Sequence, residues 1–314
     1  MKKIQTDDTD FMEKGPGAKI KGIIPPLVTP LDREGRVDEE ALEKLINHCI
    51  QGGVSALFIL GSCGEGSVLT DIQKKAAVRC ALKAAGNKIP VLVGALETSS
   101  QKILKEIKDY EDMGAEYFVS ATPYYLTPEG QADILRHYRF LAEHIEGKLI
   151  AYNIPPYVHC NILPETMKKL LEIPKIIAVK DSTGDWSLFQ KALFLNPDGG
   201  ILSGNEELCG AAMLFGAEGC VPCLANAYPA FYSAMYQYAR DKNIEKVIEY
   251  QKAVVEMKKV LGFTENWIAA VKYLCARKGL IQPYTARGIP AINKAEQEKV
   301  EAFLTENEKL LMKD

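Results

Sequence analysis

The feature that most constrains this chain is a rhythm of eight short apolar runs separated by longer amphipathic stretches. The runs are Ile23–Val28, Ala56–Leu60, Pro90–Val93, Tyr117–Ser120, Leu149–Tyr152, Ile176–Val179, Gly200–Ser203 and Gly219–Val221. They are rich in Val, Ile and Leu without strict alternation, as strands buried on both faces of a parallel sheet require. Between them the spacing predicts helices near 38–51, 70–85, 99–113, 129–145, 164–172, 185–194 and 206–216, with an eighth from about 227. Thr70-Asp71-Ile72-Gln73 and Ser99 read as helix starts, and Gln51-Gly52-Gly53 and Asp112-Met113-Gly114 as helix ends. Eight strand–helix units predict an α/β fold, a (β/α)8 TIM barrel, whose usual size is about 250 residues. A doubly wound sheet is the alternative, but no GxGxxG follows the first run.

The flanks read differently. Residues 1–19 are polar and form an N-terminal arm, the barrel occupies 20–235, and 236–314 reads as helices only, near 243–261, 264–278 and 293–312. We take these as a C-terminal helical appendix to one domain. Lys plus Arg number 38 against 41 Asp plus Glu, a net charge of −3, which leaves no electrostatic footprint for nucleic acid or an anionic membrane. No run approaches the ~18 apolar residues of a membrane span, and the N-terminus lacks a secretory apolar segment, so a cytoplasmic protein is expected. Eight cysteines are too sparse for a disulfide scaffold. Cys220-Val-Pro-Cys223 lacks a second ligand pair and the four histidines lack chelating spacing, so no metal site is expected.

In such a barrel, chemistry sits where strands end. Run six ends in Val179-Lys180-Asp181-Ser182. Burial disfavours the charged form of an amine, and a free amine there could attack a ketone and form a Schiff base; pairing with a carboxylate such as Asp181 is the open alternative. Run five ends in Tyr152-Asn153-Ile154-Pro155, and a phenol beside an imine-forming lysine can relay protons. Run four leads into Thr122-Pro123-Tyr124-Tyr125. Run two leads into Gly61-Ser62-Cys63-Gly64-Glu65-Gly66, whose glycines and hydroxyl suit a carboxylate or phosphate, or only a tight turn.

These four motifs, in this order at these strand ends, resemble the pyruvate-dependent class I aldolase superfamily of dihydrodipicolinate synthase and N-acetylneuraminate lyase, over about residues 20–305. The resemblance implies that Lys180 forms the Schiff base with pyruvate or a 2-keto acid and that Tyr152 is the acid/base. It implies that Ser62 links Tyr152 to Tyr125, that Tyr125 crosses a subunit interface in a homotetramer built as a dimer of dimers, and that Ser62 and Cys63 hold the pyruvate carboxylate. Val221 would pack beside the imine. No metal or organic cofactor is implied.

Three features depart from the synthase pattern. The synthase's substrate-binding arginine is Tyr157 here, and the usual threonine after Ser62 is Cys63. The lyases carry an acidic pair for sugar hydroxyls at the positions of Glu206 and Glu207, next to Asn205, and also use the position of Ser182; a helix N-terminus attracting negative charge is the plainer account of the glutamates. The expected activity is therefore cleavage of a 2-keto-3-deoxy sugar acid or sialic-acid-like substrate to pyruvate and an aldehyde. The alternatives are condensation of pyruvate with aspartate semialdehyde, or a non-catalytic keto-acid-binding protein.

Overall fold

The computed structural model describes residues 20–311; the polar arm expected over 1–19 lies outside the described residues. Eight parallel strands form one curled sheet: β1 (Gly22–Ile23), β2 (Leu57–Ile59), β3 (Val91–Gly94), β4 (Tyr117–Ala121), β5 (Lys148–Asn153), β6 (Ile176–Asp181), β7 (Ile201–Ser203) and β8 (Gly219–Cys220). Each strand pairs with its sequence neighbour from β2 to β8, and β8 pairs with β1. The last seam, between β1 and β2, closes without a regular ladder. Ser55 N donates to Ile23 O at 2.8 Å, Phe58 N to Pro25 O at 3.0 Å and Leu27 N to Phe58 O at 2.7 Å. The predicted run Ile23–Val28 contributes only a short strand because Pro25 and Pro26 have no N–H to give a ladder.

Helices α1 (Glu39–Gln51), α2 (Asp71–Ala85), α3 (Ser100–Glu111) and α4 (Gln131–His144) follow β1 to β4 in turn. Thr70 and Gln73 close the expected capping box on α2, and Ser99 accepts from Lys102 N at 3.3 Å to start α3. After β5 comes a single turn the periodicity does not show, α5 (Pro155–Val158), and then α6 (Pro164–Leu171). Helix α7 (Trp186–Leu195) covers β6 to β7. The helix predicted over 206–216 is broken into a 3-10 turn, Glu206–Leu208, and a short α8 (Cys209–Leu214). The break follows from Asn205, whose Oδ1 caps Glu207 N at 2.9 Å, and from Gln251, whose Oε1 takes Gly210 N at 2.6 Å. Helix α9 (Pro229–Arg240) completes the ring, and α10 (Ile244–Lys258), α11 (Trp267–Arg277) and α12 (Lys294–Asn307) follow it.

Strand alternation sorts the apolar residues into two cores. Ile24, Phe58, Leu92, Val119, Ile150, Tyr152, Ala178, Leu202 and Val221 fill the barrel interior. Leu57, Ile59, Val93, Phe118, Ala151, Val179 and Ile201 face the helices instead. No described helix is long and apolar enough to cross a membrane.

Candidate active site

The same alternation decides which residues meet. Tyr152 and Lys180 are direct register partners across β5 and β6 and share the interior face. Lys180 is only 5% exposed; its Nζ lies 4.0 Å from the centre of the Tyr152 ring and 4.9 Å from that of Phe58. Phe58 meets Tyr152 edge-on at 6.3 Å, which fixes the phenol against the barrel wall.

Asp181, one residue on, faces outward. Its Oδ1 accepts from Asn153 Nδ2 at 2.6 Å and its Oδ2 from the Thr183 hydroxyl at 2.8 Å. The alternative of a Lys180–Asp181 pair is thereby excluded: a period of two puts neighbouring strand residues on opposite faces. Burial raises the Asp181 carboxyl above its usual range, and the hydroxyl and amide donors act against that rise.

The floor beside Lys180 is kept free by Gly204. A Cβ there would overlap the Ser182 Oγ and lie 2.9 Å from the Lys180 Cε. Gly204 N donates to Asp181 O at 2.7 Å, so β7 holds this glycine against the end of β6.

The Gly61–Gly66 loop is built otherwise than its glycines suggest. The left-handed backbone falls on Leu60 (φ 56°) and Glu65 (φ 60°), not on the glycines. Gly66 is required by contact, since a Cβ there would overlap the Leu60 carbonyl. Glu65 pays for its conformation by pinning the loop: Oε1 accepts Ala286 N at 2.7 Å, and Oε2 forms a fully buried ion pair with Lys272, whose Nζ also donates to Tyr284 O at 2.7 Å. Burial lowers the Lys272 ammonium, and Glu65 opposes that shift. The sequence singles out Glu65 only through its motif and gives no sign of Lys272, because their contact joins positions more than two hundred residues apart.

Ser62, Cys63, Tyr152, Lys180, Ser182 and Val221 line one cavity of about 630 Å³, together with Asn205, Glu206 and Glu207. Burial pushes the Cys63 thiol well up, so it is held as a thiol. Lys258 at the end of α10, Lys259 just after it and Trp267 at the start of α11 supply the outer wall, and none of them belongs to a strand-end motif. Tyr157 sits at the rim and accepts a hydrogen bond from Trp267 Nε1 at 3.1 Å.

The acidic pair separates. Glu206 is buried; its Oε1 accepts from Leu224 N at 2.8 Å and Tyr232 OH at 3.1 Å, and its Oε2 from the Cys223 thiol at 3.5 Å. Burial raises its carboxyl, with these donors pulling the other way. Glu207 is exposed and meets Lys258 Nζ at 2.9 Å. Tyr125 is the one expected site residue that the chain does not bring to the cavity: it is 88% exposed, in a left-handed turn (φ 79°) beside the equally exposed Leu126. The CxxC cysteines also diverge, the Cys220 thiol donating to Cys209 O at 3.6 Å.

Comparison with known proteins agrees with this fold. The model of the dihydrodipicolinate synthetase family matches residues 19–307. A 4-hydroxy-tetrahydrodipicolinate synthase of Porphyromonas gingivalis is 31% identical over 267 residues, 84% of this chain and 89% of that protein. The dihydrodipicolinate synthase structure from Bacteroides thetaiotaomicron superposes with a TM-score of 0.85 at 32% identity, covering 91% of this chain and 98% of that one. The pyruvate complex of the Acinetobacter baumannii synthase gives 0.85 at 28% identity, covering 91% and 97%. These names favour the condensation alternative over the sugar-acid cleavage expected from the motifs. The chain belongs to the dihydrodipicolinate synthetase family, whose members are pyruvate-dependent class I aldolases acting through a lysine Schiff base.

Proposed function

We propose that Lys180 is the Schiff-base lysine and that the enzyme condenses pyruvate with an aldehyde, aspartate semialdehyde being the first candidate. The observation that carries this reading is the pairing of Lys180 with Tyr152 across β5 and β6 inside the cavity. The Lys180 amine attacks C2 of pyruvate, and loss of water from the carbinolamine leaves the imine. Removal of a C3 proton gives the enamine, whose C3 attacks the aldehyde carbon while the Tyr152 hydroxyl delivers a proton to the aldehyde oxygen. Water then releases the product and restores the amine. Ser62 and Cys63 turn their loop toward the pyruvate carboxylate, Ser182 borders the lysine, and Val221 packs beside the imine.

Two observations support condensation over cleavage of a hydroxylated acid. The relatives named above carry the synthase name, and the Glu206 carboxylate already has three protein donors, which leaves it poorly suited to grip sugar hydroxyls. The opposite reading, cleavage of a 2-keto-3-deoxy sugar acid, is favoured by Tyr157, which has no guanidinium with which to clamp a carboxylate. We further propose that Tyr125 completes the site of a second copy within a homotetramer, an arrangement its exposure permits.

Pyruvate consumption with aspartate semialdehyde, measured beside pyruvate release from 2-keto-3-deoxy acids and sialic acids, tests this reading. Condensation that exceeds every cleavage rate by tenfold or more is the expected result. Efficient cleavage of a sugar acid with negligible condensation contradicts it.

A further inference from the structure

The cavity that Lys180 lines also carries charges that the reaction steps above leave unused. Lys258, at the end of α10, and Glu207, in the turn after β7, form an ion pair of 2.9 Å at the cavity's edge, their side chains 29% and 51% exposed. Their neighbours are already committed. Lys259 turns to Glu256 at 2.7 Å, and Glu206 is held by Leu224, Tyr232 and Cys223. Among the described residues, the Lys258 and Glu207 side chains have no hydrogen-bond or ion-pair partner but each other, and Lys258 also feels the field of buried Glu206. A partly exposed pair of this kind contributes little to stability, so it opens at small cost.

We propose that this pair is an exchangeable receptor for an α-amino-acid head group on the second substrate, with Lys258 taking the carboxylate and Glu207 the ammonium. The inference rests on the reading of Lys180 and Tyr152 as the reacting pair, and it assigns specificity to two residues outside that pair. A head group with both charges replaces each partner's lost counter-ion with a new one, so no charge is left unpaired in a partly desolvated cavity. A simple acid satisfies Lys258 but strands Glu207, and a neutral polyol satisfies neither. The pair therefore selects zwitterions by the penalty it imposes on everything else. The long α10 stem matters as well: Lys258 reaches the cavity from the C-terminal helices, and so bears on the second substrate without belonging to a barrel strand.

The test uses two non-reacting probes, so that binding is read independently of turnover. L-homoserine has the ammonium, the carboxylate and a hydroxyl in place of an aldehyde; 4-hydroxybutyrate lacks only the ammonium. Calorimetric titration of the full-length protein, with and without saturating pyruvate, should show L-homoserine bound at least about tenfold more tightly than 4-hydroxybutyrate. Lys258→Met should weaken both probes about tenfold or more, and Lys258→Arg should retain most of the binding. Glu207→Gln should weaken L-homoserine while leaving 4-hydroxybutyrate equal or tighter, because Lys258 loses its internal competitor. Equal affinity for the two probes in the native protein, or a probe preference that Glu207→Gln does not change, overturns the inference. The outcome is separable from that of the proposed reaction. If the probe pattern holds but no aldehyde is condensed, the reaction assignment fails alone; if aspartate semialdehyde is condensed with a KM that Lys258→Met and Glu207→Gln leave alone, the head-group assignment fails alone.

Discussion

Gly204 and Lys180 are packed so closely that a single methyl group would disturb the lysine: a Cβ on Gly204 would lie 2.9 Å from the Lys180 Cε and overlap the Ser182 Oγ. Gly204 needs no left-handed backbone. It leaves room on the β7 side for the Lys180 side chain, room that the proposed change from free amine to imine would use. Gly204→Ala should therefore slow imine formation at least tenfold and cost about 1–3 kcal/mol of stability, the usual range for overpacking a core. Rates of pyruvate trapping by borohydride, compared with denaturant midpoints, check this. Unchanged trapping in a folded variant would show that the lysine does not need the space.

Glu206 offers a second test, because its environment decides between two roles. If it ties the 3-10 turn Glu206–Leu208 to the 3-10 turn Cys223–Asn226 and to α9, as its bonds to Leu224 N and Tyr232 OH indicate, Glu206→Gln should lower unfolding free energy by about 1–3 kcal/mol. Borohydride trapping of pyruvate should fall by less than about threefold in the same variant. Selective loss of turnover on a hydroxylated acid, with stability intact, would restore the sugar-binding role.

The barrel was legible because each strand is a compact apolar run, and the α2 and α3 starts because their caps are local. What escaped the sequence is non-local. Glu65 is fixed by Lys272, and the cavity is walled by Lys258 and Trp267, on helices that read only as an appendix. Lys180 and Tyr152 could be picked out because a polar group ending an apolar strand violates the pattern around it. Glu206 is the complementary case: its type and position suit a ligand, and only the fold shows that Tyr232 and Leu224 also hold it. The helix expected over 206–216 failed on side-chain competition, with Asn205 and Gln251 each taking a backbone N–H.

His137 sets an acid limit on stability. It is buried on α4, with Nδ1 2.8 Å from Ser100 Oγ, and burial lowers its pKa from 6.5 to about 4. Between those values the unfolded chain binds a proton that the folded one refuses, so stability is full above about pH 6.5 and falls as the pH drops toward 4. Below that the contribution is gone and stops changing. At about 1.4 kcal/mol per pH unit the loss reaches about 3 kcal/mol. Urea unfolding from pH 7.5 to 4 should show that slope, and His137→Phe should flatten it by the same amount. A mutant slope equal to the native one would place the acid sensitivity elsewhere.

The central claim is that Lys180 carries the carbon chemistry. Incubating the protein with pyruvate and borohydride, then mapping the reduced adduct by peptide mass spectrometry, tests it most directly. The account predicts one stable adduct, on Lys180, loss of turnover in step with its formation, and neither adduct nor turnover in Lys180→Ala. An adduct on Lys258, Lys272 or any other lysine, or a Lys180→Ala protein that still turns over, would contradict it.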